Sequence, residues 1–145
     1  MKNIGQFLAQ HIRTIYSVSP QSTVRQALEL MADKNIGALL VLEEKKLVGM
    51  FSERDYARKV VLKGKSSVDT LVQDIMTTEV ICIKVSQTFT ECMQTMTDHH
   101  IRHLPVMDGQ NVIGLISIGD VVKEILEEQT RTIEQLKSYI VNWSN

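Results

Sequence analysis

This chain carries little that would mark it for secretion, membrane insertion or covalent cross-linking. Only two cysteines occur, Cys82 in an expected strand and Cys92 on the apolar face of an expected helix. Two thiols make no disulfide framework and fit a reduced compartment, so a cytoplasmic protein is expected. The longest purely apolar run, Ala38–Leu42, is far too short to cross a bilayer. Met1–Arg13 holds no apolar stretch of signal-peptide length. The first acidic residue is Glu29, and acid-poor starts also occur in transit peptides; Lys2, His11 and Arg13 on an ordinary surface helix explain this more simply. Charge of one sign is lacking too: 16 basic and 17 acidic residues leave a net charge of −1, which gives no general attraction to nucleic acid or to an anionic membrane.

Catalytic signatures are equally scarce. No glycine-rich phosphate loop appears, with neither Rossmann nor P-loop spacing, and no Ser or Cys sits in a nucleophile motif. No enzyme activity is expected. His99, His100 and His103 could suggest a metal, but adjacent helical residues point about 100° apart, and no metal centre is expected.

What the chain does have is a repeat. Val18–Tyr56, moved forward by 65 positions, lies on Ile83–Val121 without a gap. Thr23 meets Thr88, Met31 meets Met96, Asp33 meets Asp98 and Ile36 meets Ile101. Leu39, Val41, Gly49, Ser52 and Asp55 meet Leu104, Val106, Gly114, Ser117 and Asp120. With 145 residues, 43% of them hydrophobic, the two copies are expected to share one globular body as a pseudo-symmetric pair whose facing surfaces create paired clefts.

The hydrophobic period changes three times within each copy. Thr14–Ser19 reads as a strand, Ser22–Lys34 as a helix with Val24, Ala27, Leu28 and Met31 on one face, and Ser22 or Thr23 as its cap. Ala38–Leu42 and Leu47–Ser52 read as strands around the charged turn Glu43–Lys46, and Glu53–Leu62 as a helix stopped by Gly64. The second copy predicts strand Val80–Val85, helix Thr88–His99, strands His103–Met107 and Val112–Ile116 around Asp108-Gly109, and a helix from Ser117. The fold class is α/β (α+β): two β-α-β-β-α repeats related by a pseudo-two-fold, with an N-terminal and a long C-terminal helix. Repeat 1 covers 14–65 and repeat 2 covers 72–125, within a single module of 1–145. Val72–Met76 reads as a bridge rather than a flexible linker, because Val72, Ile75 and Met76 are apolar.

The extension 126–145 is distinctive. Val122, Leu126, Gln129, Ile133, Leu136, Ile140 and Trp143 follow a four-three spacing that lines them along one seam. Ile4, Leu8 and Ile12 make a shorter stripe at the other end. The two terminal helices could pack on each other within one chain. A short helix cannot cover so long a stripe, so a homodimer seam is expected.

The chemistry sits where the third strand of each copy meets the second helix. Copy one reads Gly49-Met50-Phe51-Ser52-Glu53-Arg54-Asp55, copy two Gly114-Leu115-Ile116-Ser117-Ile118-Gly119-Asp120. First-turn amides and the macrodipole attract an anion such as phosphate. An ionised Asp can accept both hydroxyls of a ribose. The same Ser-x-x-Asp spacing is close to a capping box, which stabilises a helix start without binding anything. Arg54, Arg58 and Lys59 follow the first motif, and Arg102 and His103 precede Leu104-Pro105-Val106 where copy one has Gly37 and Ala38. Arg grips phosphate bidentately, and His adds a donor. Arg58 and Lys59 also suit a solvated helix face. The asymmetry suggests unequal clefts, the Asp55 one richer in cations.

Through these residues both units resemble CBS motifs, and together they resemble one Bateman module like the stand-alone bacterial CBS-pair proteins. The likeness rests on the β-α-β-β-α order, the two Gly-hydrophobic-hydrophobic-Ser-x-x-Asp segments, the stretch Ile101–Val106 and the lead-in Val72–Thr77. It implies a regulatory sensor binding adenosine-containing ligands (AMP, ADP, ATP, NAD or S-adenosylmethionine) in clefts between the repeats, acting on a protein partner in trans. A scaffold or dimerisation module with vestigial clefts is the alternative. Carried over by position, Asp55 and Asp120 hold ribose hydroxyls, with Ser52 and Ser117 on ribose or phosphate. Adenine at the Asp55 cleft lies against Val80, Ile81, Ile101, Arg102 and His103, with Thr78 nearby. At the Asp120 cleft it lies against Ile15, Tyr16, Ile36, Gly37 and Ala38. Arg54 and Ile116 complete the expected set.

Overall fold

The computed structural model describes residues 2–144. Two compact units emerge. One joins the chain up to Arg13 with Ile83–Val106 and the chain from Gly114 onward; the other joins Thr14–Cys82 with Met107–Ile113. Each contains a three-stranded sheet.

In the unit built on Thr14–Cys82, β1 (Ser17–Val18) runs parallel to β2 (Ala38–Glu43), and β2 runs antiparallel to β3 (Lys46–Ser52). α2 (Val24–Lys34) crosses from β1 to β2, as a parallel pair requires. Thr23 caps α2 by accepting from the Gln26 amide, while the Gln26 side chain accepts from the Thr23 amide, a complete capping box. Asn35 ends the helix in the left-handed region at φ 54°. The β2–β3 turn uses Glu44 and Lys45, both at positive φ, which matches the right-handed twist of a two-residue hairpin even without Gly or Asn. α3 (Glu53–Asp55) continues into the wider π winding of Tyr56–Val61, in which the Leu62 amide donates to the Ala57 carbonyl. α4 (Val72–Ile75) is one turn with Val72 and Ile75 buried, which makes the bridge part of the core. That core gathers Val24, Ala27, Met31, Leu39, Val41, Phe51, Val60, Val72 and Ile75.

The second repeat follows the same plan with α1 (Ile4–Gln10), β4 (Ile83–Lys84), α5 (Phe89–His99), β5 (His103–Asp108), β6 (Asn111–Ser117) and α6 (Ile118–Ser144), in sheet order β4-β5-β6; all but the hairpin tip Met107–Ile113 falls in the other unit. Phe89, Cys92, Met96, Leu104, Ile116 and Val121 are buried. His100 closes α5 at φ 55°, the counterpart of Asn35.

Two expected strands are much shorter than the sequence suggested. Thr14–Ser19 contracts to Ser17–Val18 and Val80–Val85 to Ile83–Lys84. Apolar character marked both segments, but only two residues of each enter a sheet. The N-terminal stripe also breaks: α1 ends at Gln10, and Ile12 beyond it is 94% exposed. Nor does α1 cover the C-terminal seam. Ile4 and Phe7 are buried, Phe7 meets Phe89 edge-on with ring centroids 5.1 Å apart, and every residue from Gln129 to Trp143 stays exposed.

The lead-ins are exchanged between repeats. The segment before repeat 2 closes onto repeat 1 through the bridges Thr23–Leu71 and Met50–Thr77. The segment before repeat 1 closes onto repeat 2 through the bridge Asn3–Thr88 and the Ile4 amide, which donates to the Gln87 carbonyl. Gly49 and Gly114 make this approach possible. A Cβ on Gly49 would lie 2.6 Å from the Met76 sulfur and 2.9 Å from the Thr77 carbonyl oxygen, and one on Gly114 would lie 2.9 Å from Leu8.

Candidate functional site

Each Ser-x-x-Asp segment forms a closed helix start. The Ser52 hydroxyl accepts from the Asp55 amide at 3.2 Å, and Asp55 Oδ2 accepts from the Ser52 amide at 3.0 Å and the Ser52 hydroxyl at 3.1 Å. Ser117 and Asp120 repeat all three bonds at 2.9–3.2 Å. The first helical amide is taken too: Glu53 donates to the Gly37 carbonyl at 3.1 Å and Ile118 to the Arg102 carbonyl at 2.9 Å. The expectation that first-turn amides attract phosphate therefore needs correction. In both helices the first and third of those amides already have partners inside the chain.

The carboxylates are held from outside the motif as well, differently in each copy. Asp55 is only 9% exposed. Its Oδ1 accepts from the Thr77 hydroxyl at 3.2 Å and pairs with the Lys59 ammonium at 3.0 Å. Lys59 also donates to the Ile75 carbonyl at 3.1 Å, so it is bent over the motif, with 44% of its side chain still exposed. Its counterpart 65 positions on is Glu124, which lies 3.8 Å from Lys2 and cannot supply a cation to Asp120.

Arg13 fills that role. Its Nη1 donates to Asp120 Oδ2 at 2.8 Å and its Nη2 to Oδ1 at 2.7 Å, a two-pronged pair. The guanidinium carbon also lies 5.1 Å from the centre of the Phe7 ring. Burial pushes the Asp120 carboxyl up, but the Arg13 hydrogen bonds and charge, with those from Ser117, outweigh it and hold the group below the usual carboxylate range. Arg13 is raised in turn, chiefly by its hydrogen bonds to Asp120. The expectation that Asp120 stands beside fewer cations than Asp55 fails to include this residue.

The remaining sequence-predicted positions divide between the units. Tyr16, Ile36, Gly37, Ala38, Ser52, Arg54, Asp55, Thr78, Val80 and Ile81 lie in the unit of Thr14–Cys82, and Ile101, Arg102, His103, Ile116, Ser117 and Asp120 in the other. Ile116 and Ala38 are buried core residues, while Arg54, Thr78 and Arg102 are exposed. Within the first unit an open hollow of about 470 Å³ is lined by Leu28, Met31, Ala32, Asn35, Ile36, Gly37, Glu53 and Tyr56. It brings Ile36 and Gly37 beside Glu53, which opens α3, and Tyr56, which opens the π winding after it. Among the described residues, no group of three or more His, Cys, Asp or Glu side chains could hold a metal ion.

Sequence reasoning missed Arg13 and Thr77 and gave Lys59 no specific partner. The i,i+4 spacing of Asp55 and Lys59 was a usable signal for the last. Nothing local pointed from Arg13 to a carboxylate 107 positions away.

A CBS-domain family model matches residues 8–62 and again 72–127. The chain is 42% identical over 123 residues to the CBS domain-containing protein CBSX3, mitochondrial, of Arabidopsis thaliana, covering 81% of this chain and 60% of that protein. It therefore spans less than two thirds of the plant relative. The solved structure of a protein with CBS domains from Burkholderia ambifaria superposes with a TM-score of 0.84 at 49% identity, covering 88% of this chain and 96% of that one. At 21% identity and a TM-score of 0.77, the CBS domain pair of protein MJ0100, solved with 5′-methylthioadenosine and S-adenosyl-L-methionine, shares the fold over 88% of this chain and 98% of its own.

Proposed function

The chain belongs to the CBS-domain family, with the motif present twice, and on that premise we propose that it is a regulatory module that binds adenosine-containing ligands and acts on a protein partner in trans. The reading is carried by the paired carboxylates. Each is fixed by its own Ser and then held by donors from elsewhere in the chain: Thr77 and Lys59 on Asp55, Arg13 on Asp120. A ribose offers a vicinal diol, two donors side by side, which an ionised carboxylate accepts in the same way. Such donors can be exchanged one set for another without leaving the carboxylate unsatisfied.

Asp55 and Asp120 are assigned to ribose hydroxyls and Ser52 and Ser117 to ribose or phosphate, with Arg54, Arg102 and His103 on phosphate. Thr78, Val80, Ile81 and Ile101, and Tyr16, Ile36, Gly37, Ala38 and Ile116, are assigned to adenine contacts. The hollow beside Ile36 and Gly37 has a volume suited to a small molecule and a partly apolar lining. AMP, ADP, ATP, NAD and S-adenosylmethionine form the candidate set, and the two adenosine derivatives named for the MJ0100 pair belong to this chemical class. A cytoplasmic location and a role without catalysis, nucleic acid or membrane accompany the proposal. No helix among the described residues is long and apolar enough to cross a membrane.

The assembly proposed is a homodimer joined along α6. Its exposed stripe of Leu126, Ile133, Leu136, Ile140 and Trp143 keeps the alternating three-four spacing of a two-stranded seam, which a second copy matches residue for residue. A helix whose last four turns are exposed on every residue from Gln129 to Trp143 is marginal in water without such a partner.

Melting of nucleotide-free protein against the five candidate ligands tests the function. A ligand at a hundred times its dissociation constant stabilises by about 2.7 kcal/mol, an easily visible shift. Silence across the set at millimolar concentration would instead favour the scaffold reading, in which the saturated carboxylates serve only as helix caps.

A further inference from the structure

We infer that Arg13 is a built-in occupant of the ribose position at Asp120, a latch that any ligand must displace and that then favours ligands carrying an anionic group. The inference rests on the assignment of Asp120 to ribose hydroxyls. Its own observation is geometric. Asp120 Oδ2 already accepts from the Ser117 amide at 2.9 Å and the Ser117 hydroxyl at 3.0 Å, in addition to Arg13 Nη1 at 2.8 Å. Oδ1 accepts from Arg13 Nη2 at 2.7 Å. The guanidinium fork thus presents two parallel donors to the edge of the carboxylate that a vicinal diol would use, and both cannot be there at once.

The bond is built to open. Arg13 lies beyond α1, which ends at Gln10 and is capped by His11. Its side chain is 40% exposed, against 16% for Asp120. Ser117 holds the carboxylate in place whether or not Arg13 is present, so the acceptor stays oriented while its occupant changes. Asp55 has no equivalent arrangement. It pairs with Lys59 from its own helix, and the Lys59 ammonium is also tied to the Ile75 carbonyl.

Electrostatics then sets ligand preference. Adenosine or a cationic adenosine derivative displaces Arg13 and leaves a guanidinium with no counter-charge. A nucleoside 5′-phosphate brings that counter-charge with it, and the released guanidinium is tethered a few residues from the site. Arg suits this role because it binds carboxylate and phosphate by the same planar fork.

Calorimetric titration of the full chain with adenosine and with AMP, in wild type, Arg13→Ala and Arg13→Ala/Asp120→Asn, tests the inference. A latch closed about nine-tenths of the time lowers apparent affinity about tenfold. Removing it should strengthen adenosine binding severalfold while the ratio of AMP to adenosine affinity falls. The added Asp120→Asn change should abolish that gain. Binding of both ligands with adenosine affinity unchanged or weaker in Arg13→Ala overturns the latch and leaves the ligand class standing, and a lower melting temperature in that variant would then make Arg13 only an anchor for the N-terminal segment. Absence of adenosine and AMP binding in wild type and variants alike overturns the ribose assignment and the latch with it.

Discussion

The most informative residue is Arg13, because it turns a helix cap into an ion pair that responds to pH. Asp120 is lowered on folding: burial opposes ionisation, and the Arg13 and Ser117 hydrogen bonds outweigh it. A carboxylate lowered on folding contributes stability that is fully present above its ordinary range and is lost as pH falls through the folded value. Wild type should therefore melt higher than Arg13→Gln at neutral pH, and the gap should begin to narrow below about pH 4, the ordinary aspartate value, and close as pH falls through the lower folded value. A gap that stays constant from neutrality to pH 3 would show that Arg13 acts through packing on Phe7 instead. Legibility at this scale follows sequence distance. Ser52, Asp55, Ser117 and Asp120 were readable because a cap is a local pattern, and Lys59 was in reach at i+4. Arg13 was not, since a single arginine in an acid-poor segment carries no mark of the carboxylate it will meet.

Among the elements, the strands β3 and β6 explain why glycine opens both motifs. Gly49 and Gly114 sit where an exchanged lead-in presses against the sheet, but what they face differs. A methyl at Gly49 meets the Thr77 carbonyl of the backbone and the Met76 sulfur, whereas one at Gly114 meets only the flexible end of Leu8. Gly49→Ala should thus destabilise by about 1–3 kcal/mol, the usual range for overpacking a close contact, and Gly114→Ala clearly less. Urea unfolding of the two variants checks this; equal losses would mean that both lead-ins yield to the same degree. The helix starts and hairpin positions were legible from period and turn residues. The strands β1 and β4 were not legible in length, because apolar residues there belong to segments that run into the lead-ins and pair over only two positions. Glu44 and Lys45 signalled a turn by their charge, yet nothing in their side chains announced positive φ at both.

For the whole molecule, the repeat visible at an offset of 65 gives the plan of both units, and the structure adds the exchange of lead-ins between them. That exchange was hidden because bridges such as Asn3–Thr88 join residues from opposite ends of the repeat pattern, where no periodicity relates them. It has a functional consequence under the proposal, since each ribose-binding carboxylate is contacted by a segment that precedes the other repeat. A ligand that displaces such a segment changes the surface beside it, which is what a module acting in trans requires. Under the same proposal, the exposed apolar stripe of α6 supplies the second copy's docking face. Native mass spectrometry of nucleotide-free protein titrated with AMP reads nucleotide capture by Asp55 and Asp120 and the number of chains at once. Wild type should fly as a species of two chains that gains the mass of bound AMP, and the Asp55→Asn/Asp120→Asn variant, in which the helix caps remain but the charge is gone, should fail to gain it. A species that takes up no AMP at millimolar concentration, or that takes it up equally in the variant, would contradict the proposal.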